Sequence, residues 1–105
     1  HEALDAMPAV RAIRPRPGTT PSHHMLTALV PGRDRFIEAM RERRIAIGVH
    51  YIPAHLFSIA RQWHRPLPVT DRLWPQVVTL PLYPAMTDAE QDRVIVAMRE
   101  VLAAP

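Results

Sequence analysis

Twelve prolines interrupt this chain of 105 residues, and their spacing constrains the fold more than any other feature. Proline fixes φ and lacks a backbone donor, so it ends helices and is kept out of central strands. Pro8 closes any helix begun at Glu2–Met7, and Arg14-Pro15-Arg16-Pro17-Gly18-Thr19-Thr20-Pro21 is too rich in proline for regular structure. Residues 1–21 therefore read as the end of a helix followed by an extended connector. Pro31-Gly32 bounds the apolar run Met25 to Val30, which reads as a buried strand. Trp63 to Pro68 reads as a polar, proline-punctuated loop, and Pro75 ends one to two helical turns over Val69 to Trp74, with Thr70 or Asp71 near their cap.

Helical periodicity is clear in two places. From Arg33 to Arg44, Phe36, Ile37 and Met40 share one face, with charges on the other. After Pro84, Thr87 and Glu90 have the capping-box spacing, and Val94, Ile95, Met98, Val101 and Leu102 then line one face. Ile45 to Tyr51 carries β-branched residues around Gly48 and reads as a second strand. Leu56 to Gln62 reads as a short helix, and Val77, Val78 and Leu80 as a third strand. The order strand–helix–strand–strand–helix predicts an α+β fold, its short sheet mostly antiparallel or mixed, with helices packed on one face.

Composition removes several chemistries. There is no cysteine, hence no disulfide, thiolate metal site or thiol nucleophile. No apolar run approaches the ~18 residues of a membrane span, and no leader pattern opens the chain, so a cytoplasmic protein is expected. The net charge is +3, and all 13 basic residues are arginine. Arg33, Arg35, Arg41, Arg43 and Arg44 alternate with Asp34, Glu38 and Glu42, the mixture of a solvated helix face. A nucleic-acid-binding surface would need one-sided clustering. Gly18, Gly32 and Gly48 are too scattered for a phosphate loop, and Ser22 and Ser58 sit in no nucleophile elbow.

The residues with chemistry to offer are His50, Tyr51 and His55. Imidazoles and a phenol hydroxyl can hydrogen-bond a polar substrate or serve as structural ties. Strand alternation would place His50 and Tyr51 on opposite faces, and the spacing to His55 matches no zinc pattern. His23-His24 reads as a structural pair with one ring buried. Trp63 reads as a cover for the core, and Trp74 as a core residue. No catalytic, cofactor-binding or metal set stands complete in this chain.

The segments Ser22-His23-His24-Met25, Arg33-Asp34, Ile47-Gly48-Val49-His50-Tyr51-Ile52-Pro53-Ala54-His55, Leu67-Pro68-Val69-Thr70, Thr79-Leu80-Pro81-Leu82-Tyr83-Pro84 and Thr87-Asp88-Ala89-Glu90 follow one another in an order that resembles the C-terminal part of the DegT/DnrJ/EryC1/StrS aminotransferases. The resemblance implies the small C-terminal domain of a fold type I pyridoxal-phosphate (PLP) enzyme over residues 22–105, with the large cofactor-binding domain absent. It implies a homodimer that moves an amino group, usually from glutamate, to a keto sugar of a nucleotide sugar, as in polysaccharide biosynthesis. His50, Tyr51 and His55 would then be substrate-binding, near the sugar end of a site shared by two subunits. Family members hold the cofactor on a lysine amine. This chain has no lysine, so no stable PLP binding and no activity are expected of it alone. A degenerate, non-catalytic module that binds a nucleotide sugar or a partner protein is the second reading.

Overall fold

The computed structural model describes residues 1–104. Its regular elements are α1 (Glu2–Asp5), β1 (Arg11–Ala12), β2 (Leu26–Leu29), α2 (Arg33–Glu42), α3 (Pro68–Leu73), β3 (Val77–Leu80) and α4 (Asp88–Ala103). Short 3-10 turns cover Ala54–Leu56, Ser58–Trp63 and Trp74–Gln76. The strands form an antiparallel sheet in the order β1-β2-β3, with Leu26 opposite Leu80 and Ala28 opposite Val78.

Because side chains alternate along a strand, Leu26, Ala28, Val78 and Leu80 share one face. That face meets α2 and α4 through Phe36, Met40, Ala97 and Met98, and Leu4 and Met7 join the same cluster. Met40, Met98, Val30 and Val78 are wholly buried. Each such side chain contributes about 1.5–3 kcal/mol of transfer free energy. The α+β class and the one-sided helix layer stand as the sequence predicts, and the sheet is antiparallel throughout.

Two corrections concern strands. Ile45 to Tyr51 is not one. Ile45 and Ile47 pack on the core, and only Gly48 pairs with the sheet, through Gly48 N–H to Thr79 O (2.9 Å) and Thr79 N–H to Gly48 O (2.8 Å). The third strand is instead β1, which pairs Arg11 with Leu29 and Ala12 with Ala28. Residues 1–21, expected as connector, thus supply core side chains and a sheet edge. A salt bridge joins Arg14 to Asp5 across this segment.

The helix ends explain how the chain is steered. Thr87 Oγ1 accepts from Glu90 N–H (3.2 Å), while Thr87 N–H donates to Glu90 Oε2 (2.8 Å), so two otherwise unpaired donors at the start of α4 are satisfied. At the end of α2, Ile45 N–H donates to Met40 O (3.0 Å) and Arg44 N–H to Arg41 O (2.9 Å). These are the two bonds of a Schellman motif, with Arg44 at the left-handed position, φ 58°. Glycine is the usual occupant, and an L side chain there costs roughly 1–2 kcal/mol. The turn drives Ile45 into the core and delivers Gly48 to the outer edge of β3.

Arg33 departs from the expected solvated face. Its side chain is 13% exposed, donates from Nη1 to Trp74 O (2.9 Å), and lies 4.8 Å over the Trp74 ring. The cation thus seats the partly buried Trp74 where α3 leads into β3.

Candidate functional site

Where the chain leaves the edge of β3, a groove of about 740 Å³ opens between the 44–51 segment, the start of α4 and the run Thr79–Tyr83. Gly48 forms part of its wall. A Cβ added there would collide with His50 Cε1 and sit 3.0 Å from His50 Nδ1, so the His50 ring lies folded over a backbone with no side chain. Tyr51 meets His50 edge-on, with ring centroids 4.9 Å apart. The two rings lie together, contrary to the expected alternation, because the segment is no strand. Both are exposed, Tyr51 at 73%.

The opposite wall comes from α4 and the loop before it. Tyr83, Met86, Glu90, Arg93 and Val94 line it, and Arg44 and His24 also line the groove. Partial desolvation pushes the Tyr83 hydroxyl above its ordinary pKa, and a hydrogen bond to Glu90 adds to this. The Glu90 carboxyl is held below the usual range by Thr87 N–H, then by the Thr87 hydroxyl and Tyr83. Arg93 donates from Nη2 to Arg43 O (2.8 Å), which ties α4 to the end of α2. Thr79, at the floor, carries a sealed hydroxyl with no partner among the described residues.

His55 lies outside this groove. Its Nε2 is 2.8 Å from Asp71 Oδ1, and Asp71 Oδ2 accepts from Leu67 N–H (3.0 Å). Asp71, read in the sequence only as a helix cap, therefore links three parts of the 53–73 segment. Its carboxyl is held below the ordinary range, first by His55 and then by the Leu67 amide. The His64 ring stands 5.9 Å from His55. The helix starts earlier than the sequence suggests, with Leu67 at the cap and Thr70 and Asp71 inside α3, and the contact of Asp71 with His55, 16 residues away, has no local signature.

Other expectations are corrected. His23 and His24 are both exposed, since they precede β2 rather than lie in it. His24 Nδ1 is 2.8 Å from Ser22 Oγ, and His23 adopts φ 53°. Trp63 does not cover the core but is 67% exposed, at the end of a 3-10 turn that faces outward. No group of three or more histidine or carboxylate side chains among the described residues is placed to hold a metal. No helix among them is long and apolar enough to cross a membrane.

Comparison with known proteins places this arrangement. Residues 1–99 match the DegT/DnrJ/EryC1/StrS aminotransferase family. DesV of S. venezuelae superimposes with a TM-score of 0.91 at 28% identity, covering 99% of this chain and 29% of its own. The aminotransferase TlmJ of Streptoalloteichus hindustanus gives 0.89 at 26%, covering 97% and 28%. Spr1654 of Streptococcus pneumoniae, solved in a PLP-form, shares the fold with a TM-score of 0.82 at 23%, covering 96% and 29%. The chain thus spans less than a third of each of these proteins. By sequence and by fold it belongs to the DegT/DnrJ/EryC1/StrS aminotransferase family.

Proposed function

We propose that this chain is the small C-terminal domain of a PLP-dependent nucleotide-sugar aminotransferase, and that its groove walls the sugar end of the active-site cleft. The stretch expected as a connector, residues 1–21, belongs to the body of that domain through Leu4, Met7 and β1, and the large domain lies outside this sequence. The observation that carries the reading is an open groove of mixed polar and apolar lining that gathers His50, Tyr51 and Tyr83. His50 and Tyr51 on the Gly48 side, and Tyr83 on the opposite wall, present donors and acceptors suited to hydroxyls.

The family is PLP-dependent, and the cofactor supplies the means of passing an amino group between substrates. The residues here do not fit it. The chain has no lysine. The groove's cations are the guanidiniums of Arg44 and Arg93, which stay protonated and offer no nucleophilic amine. The reactive lysine therefore belongs to polypeptide outside these 105 residues, and this chain contributes substrate contacts only. His50 and Tyr51 carry that role at the groove; His55 carries it from the adjoining segment. A homodimer, a glutamate donor and a cytoplasmic location complete the reading.

The test is turnover. The chain alone, given PLP, glutamate and a nucleotide-linked keto sugar, is expected to yield no amino sugar by mass spectrometry. Amino-sugar product above a heat-treated control contradicts the proposal.

A further inference from the structure

His55 is the one histidine of the 50–55 segment that the protein itself grips. Its side chain is 10% exposed, while neighbouring Ala54 and Leu56 face solvent. Asp71 uses one carboxylate oxygen on the His55 ring (2.8 Å) and the other on the Leu67 amide (3.0 Å). A backbone N–H can only donate, so a carboxylate that turns away gives up this bond to solvent. An ionised carboxylate only accepts, so the ring nitrogen it faces must carry the proton. His55 Nδ1 has no hydrogen-bond partner among the described residues, and it is not among the sealed, unpartnered atoms, where Thr79 Oγ1 stands alone. Nδ1 is therefore neither bonded within the described residues nor fully sealed.

The geometry assigns Asp71 as a positioning residue that locks His55 in the Nε2–H tautomer and leaves Nδ1 as a fixed hydrogen-bond acceptor for a donor group. The logic is that of any carboxylate-held imidazole, where the outer partner decides which nitrogen is left bare. The donor is a sugar hydroxyl if the groove and this segment serve the ligand proposed above; for that identity alone the inference rests on that reading. The Asp71–Leu67 bond gives the lock its direction, because it ties the carboxylate to the backbone at the cap of α3.

The test is a histidine long-range 1H–15N correlation spectrum of the full 105-residue chain, at about pH 8, above the ordinary histidine range near 6.5. The wild type is expected to show a bare Nδ1 and a protonated Nε2 for His55. Asp71→Asn is isosteric but must offer its carbonyl oxygen to Leu67 N–H, so its NH2 faces the ring and demands a lone pair on Nε2. The bare-nitrogen signal is then expected to move from Nδ1 to Nε2, opposite to the preference of a free histidine. In Asp71→Ala, His55 should return to free-histidine behaviour, with its two ring signals drawn towards those of an unstructured peptide. A protonated Nδ1 in the wild type overturns the assignment. So does an unchanged tautomer in Asp71→Asn with the Leu67 amide signal still in place. Neither outcome needs a ligand, so failure here leaves the aminotransferase reading standing, and failure of that reading leaves the tautomer lock standing.

Discussion

The helix-covered face of the sheet and the 51–69 segment are both rich in apolar residues and opposite in structure. In the first, Val30, Met40, Val78 and Met98 are fully enclosed. In the second, Tyr51, Ile52, Leu56, Phe57, Ile59, Trp63, Leu67 and Val69 are all exposed, Ile59 at 81%. The first region closes on itself because periodic side chains on α2 and α4 meet an alternating strand face. The second has no such period: its 3-10 turns are held by backbone bonds and by the His55–Asp71–Leu67 tie, not by its own apolar side chains. Apolar content therefore says little about burial unless its repeat matches the element that carries it.

The largest expected effect breaks this comparison directly. Met40→Ala should cost about 2–5 kcal/mol of unfolding free energy, because its cavity lies at the centre of the core. Ile59→Ala should fall within about 0.5 kcal/mol of the wild type. Urea titration of both variants checks the pair, and similar losses would show that the 51–69 segment is packed after all.

Helix ends give the next effects, of opposite sign. Thr87→Ala should cost about 1 kcal/mol by removing the side-chain cap of α4. Arg44→Gly should gain about 1 kcal/mol, since glycine occupies the left-handed position without penalty. Thermal unfolding of the two variants reads both. A wild-type-like Arg44→Gly would mean that the left-handed turn carries little strain.

The smallest effect is on acid sensitivity. Glu90 and Asp71 titrate below their ordinary values in the folded chain. Their stabilisation is therefore complete above the unfolded carboxylate range of about 3.9–4.3, and it is lost as pH falls through the lower folded values. The urea midpoint should drop between pH 6 and pH 3, and by less in Thr87→Ala, where Glu90 has lost one hydrogen-bond partner. An equal drop in both would place the acid sensitivity elsewhere.

How far the sequence reveals these features depends on how local their causes are. The Thr87–Glu90 cap and the faces of α2 and α4 are legible because each rests on residues three or four apart. Arg11–Ala12 is invisible as a strand: two residues have no alternation, and their place comes from pairing with β2. Ile45 to Tyr51 misleads in the other direction, since its β-branched residues suit a strand. The Schellman turn at Arg44 and the His50 ring over Gly48 leave only one residue paired to the sheet. At the candidate site, His50 and Tyr51 are marked by type and by family resemblance, and the groove gathers them. Asp71 is found only when the chain folds back on His55, and the burial of Arg33 only when α3 brings Trp74 beneath it.

The central claim is that these residues wall a sugar-handling cleft whose reactive amine lies on polypeptide outside this sequence. The most direct measurement is the visible absorbance of the purified chain after incubation with pyridoxal phosphate and desalting. The account predicts that no cofactor absorbance stays with the protein. A stable chromophore at one equivalent per chain would contradict it.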